Sequence, residues 1–231
     1  MRVGGEVADK PGRMVAEDCP VRVLEEVHPY ASRGGQKLEH ALKTFALSIA
    51  GKTAVDLGAS TGGFTDCLLQ HGADKVFAVD VGYGQLDWKL QSDSRVNVID
   101  RKNARDLKPE EIGEPVDLAV IDVSFISLKL VIPPAIGVLK PDGDLVALVK
   151  PQFEVGKDEV ENKGIIKDPQ KHLNVLLELR AFMEKQEWPL VNMTPSPVTG
   201  QKGNREFLVH SVLGERAAPL TEEHIRGEVL K

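Results

Sequence analysis

The sequence predicts a doubly wound, mainly parallel α/β sheet, and three observations carry that prediction. Short apolar runs alternate with segments of helical spacing from residue 53 onward. Each run is mostly apolar throughout, as in a sheet covered on both faces rather than one wetted on a side. The first run, Thr53-Ala-Val-Asp-Leu, ends in a glycine-rich turn, Gly58-Ala-Ser-Thr-Gly-Gly63, that opens onto the helical pattern from Phe64 to Gln70. That is the sequence form of a strand stopping at a nucleotide pocket.

Taken in order, residues 1–29 have a different texture. Val3 to Gly12 reads as strand, turn and strand, and Val21 to Leu24 as one more, too little to bury a core alone. From Gly35 the positions Leu38, Ala41, Leu42 and Phe45 have helical spacing. Strands are expected near 53–58, 75–81, 95–100, 116–123 and 143–150, with helices near 62–71, 85–92, 104–111 and 127–139 between them. A longer helix is expected from Pro169 to Gln186, with Leu173, Val175, Leu176, Leu179, Phe182 and Met183 facing inward. Strands near 188–194 and 205–213 complete seven, and the glycine- and proline-rich piece Pro195 to Asn204 allows the last to return antiparallel. The residues after Ala217 are polar and are expected to form a peripheral tail.

Composition excludes several classes. A net charge of -6 does not advertise a nucleic-acid binder, so any such partner must meet a local basic patch. Two cysteines, Cys19 and Cys67, make neither a disulfide framework nor a metal cluster, and no metal is expected. The most apolar stretch, Val116 to Leu139, is broken by Asp117, Asp122, Lys129 and Pro133-Pro134, so it reads as core rather than a membrane span. With no secretory apolar run near Met1, a reducing cytoplasm is the expected setting.

The turn after Asp56 lacks the Lys-Ser/Thr pair of a Walker loop, and its spacing is not that of a dinucleotide fingerprint. Glycines at 58, 62 and 63 permit a tight bend and a close ligand approach. An acid just before the turn repels pyrophosphate and suits a cationic ligand, so S-adenosyl-L-methionine, with its sulfonium and α-amino group, fits better than NAD. Asp56, Gly58, Ser60, Thr61, Gly62, Gly63 and Phe64 are the candidate cofactor residues on this turn. Asp80 ends the second strand and is placed to accept ribose hydroxyls, or else to cap the strand end. Asn103 and Asp106 lie in the third loop, either at an adenine edge or as caps of the next helix. Asp122, Ser124 and Phe125 follow the fourth strand, Lys150 ends the fifth, Glu206 opens the last, and Arg33 and Lys37 lie at the start of the first helix. Lysines are seldom buried without a partner, so Lys150 is either reactive or a snorkelling edge residue. The carboxyl ends of the strands are expected to bring Asp56, Asp80, Asp122 and Lys150 to one crevice.

Five runs together resemble one family: Ser32-Arg-Gly-Gly-Gln-Lys-Leu38, Asp56-Leu-Gly-Ala-Ser-Thr-Gly-Gly-Phe-Thr-Asp66, Asp122-Val-Ser-Phe-Ile-Ser-Leu128, Leu148-Val-Lys-Pro-Gln-Phe-Glu154 and Gly203-Asn-Arg-Glu-Phe207. They are similar to the hemolysin A-like (TlyA-type) branch of the FtsJ-type methyltransferases, over about Tyr30 to Val212 in order. The resemblance implies a Rossmann-like methyltransferase domain over residues 30–216 and ribose 2′-O-methylation of ribosomal RNA or ribosomal subunits from S-adenosyl-L-methionine. No membrane partner is expected, since no amphipathic or spanning segment is visible in the sequence. It also implies a catalytic tetrad, which falls here on Lys37, Asp122, Lys150 and Glu206, with Asp122 beside the cofactor as well. Arg33, Ser124 and Phe125 are the substrate candidates.

Repulsion between Lys37 and Lys150, with partial burial, is expected to lower the pKa of Lys150 toward that of a base. The family begins with a small RNA-binding module, of which Val3 to Leu24 resembles only the final strands, without the basic helices that grip phosphates. Lys157, Lys163, Lys167, Lys171 and His172 form a second candidate RNA contact, or simply a solvated loop. Few aromatic residues make stacking on bases an inconspicuous mode. Monomer and dimer both remain open. The competing readings are a non-catalytic methyltransferase-like protein that docks on ribosomal RNA or acts as a hemolysin, and an enzyme for a small molecule or protein. The absence of a substrate-capping insertion favours a large, open-faced substrate.

Overall fold

The computed structural model describes residues 2–4, 6–7, 14–16, 18–22, 29–156, 164–200, 203–214 and 216–230. Near the N-terminus three two-residue strands, β1 (Arg2–Val3), β2 (Glu6–Val7) and β3 (Val21–Arg22), pair antiparallel in the order β2-β1-β3. The rest of the expected N-terminal strand-turn-strand, residues 8–13 and 23–24, lies outside the described residues.

The main sheet has seven strands: β4 (Thr53–Leu57), β5 (Lys75–Val79), β6 (Val96–Ile99), β7 (Val116–Ile121), β8 (Leu139–Val149), β9 (Leu190–Pro195) and β10 (Phe207–Val212). Their order is β6-β5-β4-β7-β8-β10-β9; β4 to β8 run parallel, and β10 enters antiparallel between β8 and β9. The order reverses between β4 and β7, and that switch point is where an open sheet leaves a crevice at its carboxyl edge.

Strand alternation divides the apolar residues between two cores. Val55, Leu57, Ala119, Ile121, Leu145, Ala147, Val149, Phe207 and Val209 face one side, under α5 (Leu128–Gly137) and α7 (Pro169–Lys185). Ala54, Leu118, Val120, Val146, Leu148 and Leu208 face the other, under α1 (Gly34–Thr44) and α2 (Gly63–Gln70). Both faces are buried because the runs carry apolar residues at odd and even positions alike.

Two expected helices differ from the structure, and one turn was not expected. The segment expected as a helix at 104–111 is a 3-10 turn, Ala104–Asp106, then a single turn α4 (Pro109–Ile112). Pro109 forces Lys108 into an extended conformation (φ -120, ψ 147), which splits the helix. Over 85–92 only α3 (Trp88–Gln91) forms, because Asp87 stays extended and caps it by accepting from Lys89 N. After β8 a further single turn, α6 (Pro151–Glu154), carries the chain away from the sheet.

The C-terminal residues are not the peripheral tail that their polarity suggested. They form α8 (Glu222–Leu230), which buries Ile225 and Val229, with Leu220, in the same core as α7. Arg205 grips its end, donating to the backbone oxygens of Val229 (2.5 Å) and Glu228 (3.1 Å). Only two apolar positions of nine face inward, so the polar majority concealed the stripe. Because Ile225 is fully buried, Ile225→Ala should destabilise the domain by about 2–4 kcal/mol. Urea unfolding checks this; an unchanged midpoint would mean that α8 is an appendage.

Candidate active site

The carboxyl edge of the sheet holds a cleft made of two adjoining cavities, of about 320 Å³ and 710 Å³. Gly58, Ser60, Asp122, Ser124 and Phe125 line both and mark where they meet.

The glycine turn serves the protein first. Gly62 has φ +96, and a Cβ there would collide with Leu90 and Leu86, so this glycine admits the α3 segment rather than a ligand. Gly58 has φ +90 and lies against the Asp122 carbonyl, which sets β4 close to the end of β7. Gly62 is not on the cleft wall; Gly58, Ser60, Thr61, Gly63 and Phe64 are. Asp80 ties the turn down: its Oδ2 accepts from Ser60 N (2.8 Å) and its Oδ1 from Gly82 N (2.7 Å). It also lines the larger cavity, with lone pairs left for further donors. Asn103 faces the same cavity while capping the 3-10 turn through Arg105 N (3.2 Å), so its two readings coexist. Asp106 is exposed beside Arg105 and lines neither cavity.

Asp56 departs from the expected convergence. It is fully buried beneath the turn, accepts from Thr65 Oγ1 (2.7 Å), and leaves Oδ1 without a hydrogen-bond partner. Burial pushes its carboxyl up to about 7, against the Thr65 hydrogen bond, with Asp122 and Asp80 adding repulsion.

The four residues of the expected tetrad come together from four distant segments. Lys37, on the inner face of α1, donates to Glu206 Oε2 at 2.6 Å, and both are nearly buried. Lys150, just past β8, lies 2.6 Å from Asp122 Oδ1 and donates to Ser124 Oγ at 2.9 Å. All four line the smaller cavity. Each lysine thus has its own carboxylate. Phe125 stands 87% exposed at the mouth, with φ +63, its ring 4.9 Å from that of Phe153. Arg33, exposed at the start of α1, lines the opposite wall.

His172 does not belong to an RNA contact. It is 3% exposed, with Nε2 3.0 Å from Ile166 O and its ring edge-on to Phe207. Lys167 is exposed, whereas Lys157 and Lys163 lie outside the described residues. Sequence reasoning missed Gly200, whose Cβ would fall on the Glu206 carboxylate, and Gln152, which lines the smaller cavity with a buried, unpartnered Oε1. The proximity of Gly200 to Glu206 has no sequence signal. Gln152 stands within a run already singled out, two residues after Lys150.

A seven-stranded sheet with its final strand antiparallel, opening at the switch point onto a glycine turn and strand-end acids, defines a Rossmann-like methyltransferase. The chain belongs to the FtsJ-like methyltransferase family, whose model matches residues 30–212. It is 47% identical over 222 residues to a candidate rRNA methyltransferase, YqxC of Bacillus subtilis, covering 94% of this chain and 79% of that one. It is 45% identical over 210 residues to the 16S/23S rRNA (cytidine-2′-O)-methyltransferase TlyA of Mycobacterium tuberculosis, covering 90% and 78%. A solved structure of a hemolysin candidate from Streptococcus thermophilus superposes with a TM-score of 0.86 at 41% identity, covering 98% of this chain and 82% of that one. Among the described residues no helix is long and apolar enough to cross a membrane.

Two outcomes are expected. Gly200→Ala should push the Glu206 carboxylate away from its place beside Lys37 and cost about 1–3 kcal/mol, as for overpacking, measurable by chemical unfolding. Because the fold raises the Asp56 carboxyl from 3.8 to about 7, the folded state favours the protonated form. The resulting stability is complete below the ordinary value and is lost as pH climbs through about 7. Unfolding free energies at pH 5 and 8 should show Asp56→Asn relieving a loss of roughly 3 kcal/mol seen in the parent chain; parallel curves would contradict it.

Proposed function

We propose that the chain transfers a methyl group from S-adenosyl-L-methionine to a ribose 2′-hydroxyl of ribosomal RNA, on cytidine as in the named relative from Mycobacterium tuberculosis. One observation carries the reading: the pairs Lys37–Glu206 and Lys150–Asp122 face one cavity beside the glycine turn.

The chain's residues suit the cofactor. Asp80 and Asp122 line the cleft, and beneath the turn Asp56 carries a raised carboxyl and an unpartnered oxygen, so a cation lodged nearby relieves a cost the fold otherwise bears. When bound, the cofactor supplies an electrophilic methyl on a positively charged sulfur. The free lone pairs of Asp80 suit ribose hydroxyls, and Asn103 borders the same cavity.

On the substrate side a ribose hydroxyl is a weak nucleophile, and alignment is the main service the protein can provide. Lys150, held between Asp122 and Ser124, is placed to orient that hydroxyl. Contacts on two sides suit a positioning role for Lys150. Lys37, pinned by Glu206, presents a second cation to the substrate's negative oxygens. Arg33 suits an RNA phosphate, and Phe125 offers an exposed ring on which an unstacked base can rest. The sparse aromatic content therefore does not rule out stacking, since one well-placed ring suffices. The small antiparallel sheet of β1, β2 and β3 suits part of an RNA-binding module, and a ribosomal RNA substrate implies work in the cytoplasm.

The test is incubation of the chain with ribosomal subunits and methyl-labelled cofactor, followed by digestion to nucleosides. Labelled 2′-O-methylcytidine, resistant to alkaline cleavage while still in the RNA, is the expected product. Lys150→Ala should abolish it while calorimetry finds cofactor affinity retained. Label on a base or on protein, or undiminished turnover by Lys150→Ala, would overturn the reading.

A further inference from the structure

Glu154 has no place in the tetrad, yet it connects the two loops that carry half of it. It ends the single turn α6 that begins directly after Lys150. Its Oε2 accepts from Ser127 Oγ (2.7 Å) and its Oε1 from Leu128 N (2.8 Å). Ser127 is the N-cap of α5, and its Oγ also accepts from Lys129 N (3.2 Å). The Glu154 carboxylate therefore satisfies the start of α5 from a different segment, alongside the local cap. Burial pushes this carboxyl above its ordinary range, so the fold bears a cost to keep an acid there.

The same loop is tied to the same neighbour a second time. On the cleft side Lys150 holds Asp122 and Ser124; on the inner side Glu154 holds Ser127 and Leu128. Phe125 lies between these ties, in a left-handed conformation that costs a bulky side chain about 1–3 kcal/mol and persists only where the surroundings enforce it. We propose that Glu154 is a positioning residue: by clamping Ser127 and Leu128 it holds the Asp122–Ser127 loop against the turn after Lys150, and so sets the contact of Lys150 with Asp122 and Ser124 and the stance of Phe125. The inference deepens the proposed function, since it concerns the geometry of that same site.

Removing the carboxylate frees the Asp122–Ser127 side of the larger cavity, while Gly58, Ser60 and Asp80 on its other side keep their own hydrogen bonds. Glu154→Ala should therefore lower kcat on the order of 10²-fold through misalignment, with a smaller loss of cofactor affinity. Glu154→Gln should recover most of the loss, because its amide can still accept from Leu128 N–H while donating to Ser127 Oγ.

The deciding measurement does not depend on activity. Limited acylation of the whole chain, read by mass spectrometry, gives the reactivity of Lys150 relative to Lys37, which stands on the other wall and does not contact Glu154. The ratio should rise several-fold in Glu154→Ala and return toward the parent value in Glu154→Gln. If Glu154→Ala fails to fold, Ser127→Ala, which removes one arm of the clamp, should raise the same ratio to a smaller extent. An unchanged ratio in a folded variant overturns the clamp even if the parent chain methylates RNA. A parent chain without methyl transfer overturns the proposed function, and the acylation ratio still decides the clamp.

Discussion

Two ammonium groups brought to one cleft repel each other and lose water, and the site exists because each is given a carboxylate of its own. Removing an ion from water into a protein costs several kcal/mol, and only a close partner with further hydrogen bonds offsets it. Lys37 and Glu206 meet at 2.6 Å with almost no solvent, and Lys150 meets Asp122 at the same distance with Ser124 as a further acceptor. Each pair joins segments far apart in the chain: the first helix to the last strand, and the end of β7 to the end of β8. The pairs therefore hold the cleft walls together as well as lining the cavity where the chemistry is proposed to occur.

The sheet makes those pairings possible. Parallel strands deliver their carboxyl ends to one edge, and the antiparallel β10 then brings its beginning, Glu206, to that edge. A parallel last strand would have sent Glu206 to the opposite end of the sheet. The insertion of β10 between β8 and β9 thus lets a residue near the end of the chain face one near its start. The C-terminal helix α8 reinforces this, because its final carbonyls hold Arg205 immediately before Glu206.

Part of the molecule's strain and two of its unpartnered buried atoms lie where ligands are proposed to sit. Phe125 and Ser60 adopt positive φ, Asp56 keeps an unpartnered oxygen beneath the glycine turn, and Gln152 keeps another at the opposite wall. A fold selected for stability alone would relieve such features. Their placement around one cleft fits a site prepared for a cationic cofactor and an extruded nucleotide, although Ala46, Arg101 and Glu187 adopt positive φ elsewhere.

Much of this was legible in the order of residues, for reasons that are local. Apolar runs without polar interruption specify strands covered on both faces, and α7 from Pro169 follows from its apolar stripe and its capping Asp168. The runs around Lys37, Asp122, Lys150 and Glu206, with the glycine turn, identified the family because all five occur together and in order. What the order of residues could not contain is which group faces which. Asp56 and Asp80 both end strands as acids, yet one is sealed under the turn and the other opens on the cavity, because a strand's two faces differ only once helices cover them. His172 looked like a companion of nearby lysines and instead fills the core, and the polar-looking C-terminus conceals a two-residue stripe. The pairing of each lysine with its own acid, the space Gly200 leaves for Glu206, and the hold of Glu154 on Ser127 are contacts across long separations in the chain. Such contacts depend on packing, which only the tertiary structure decides.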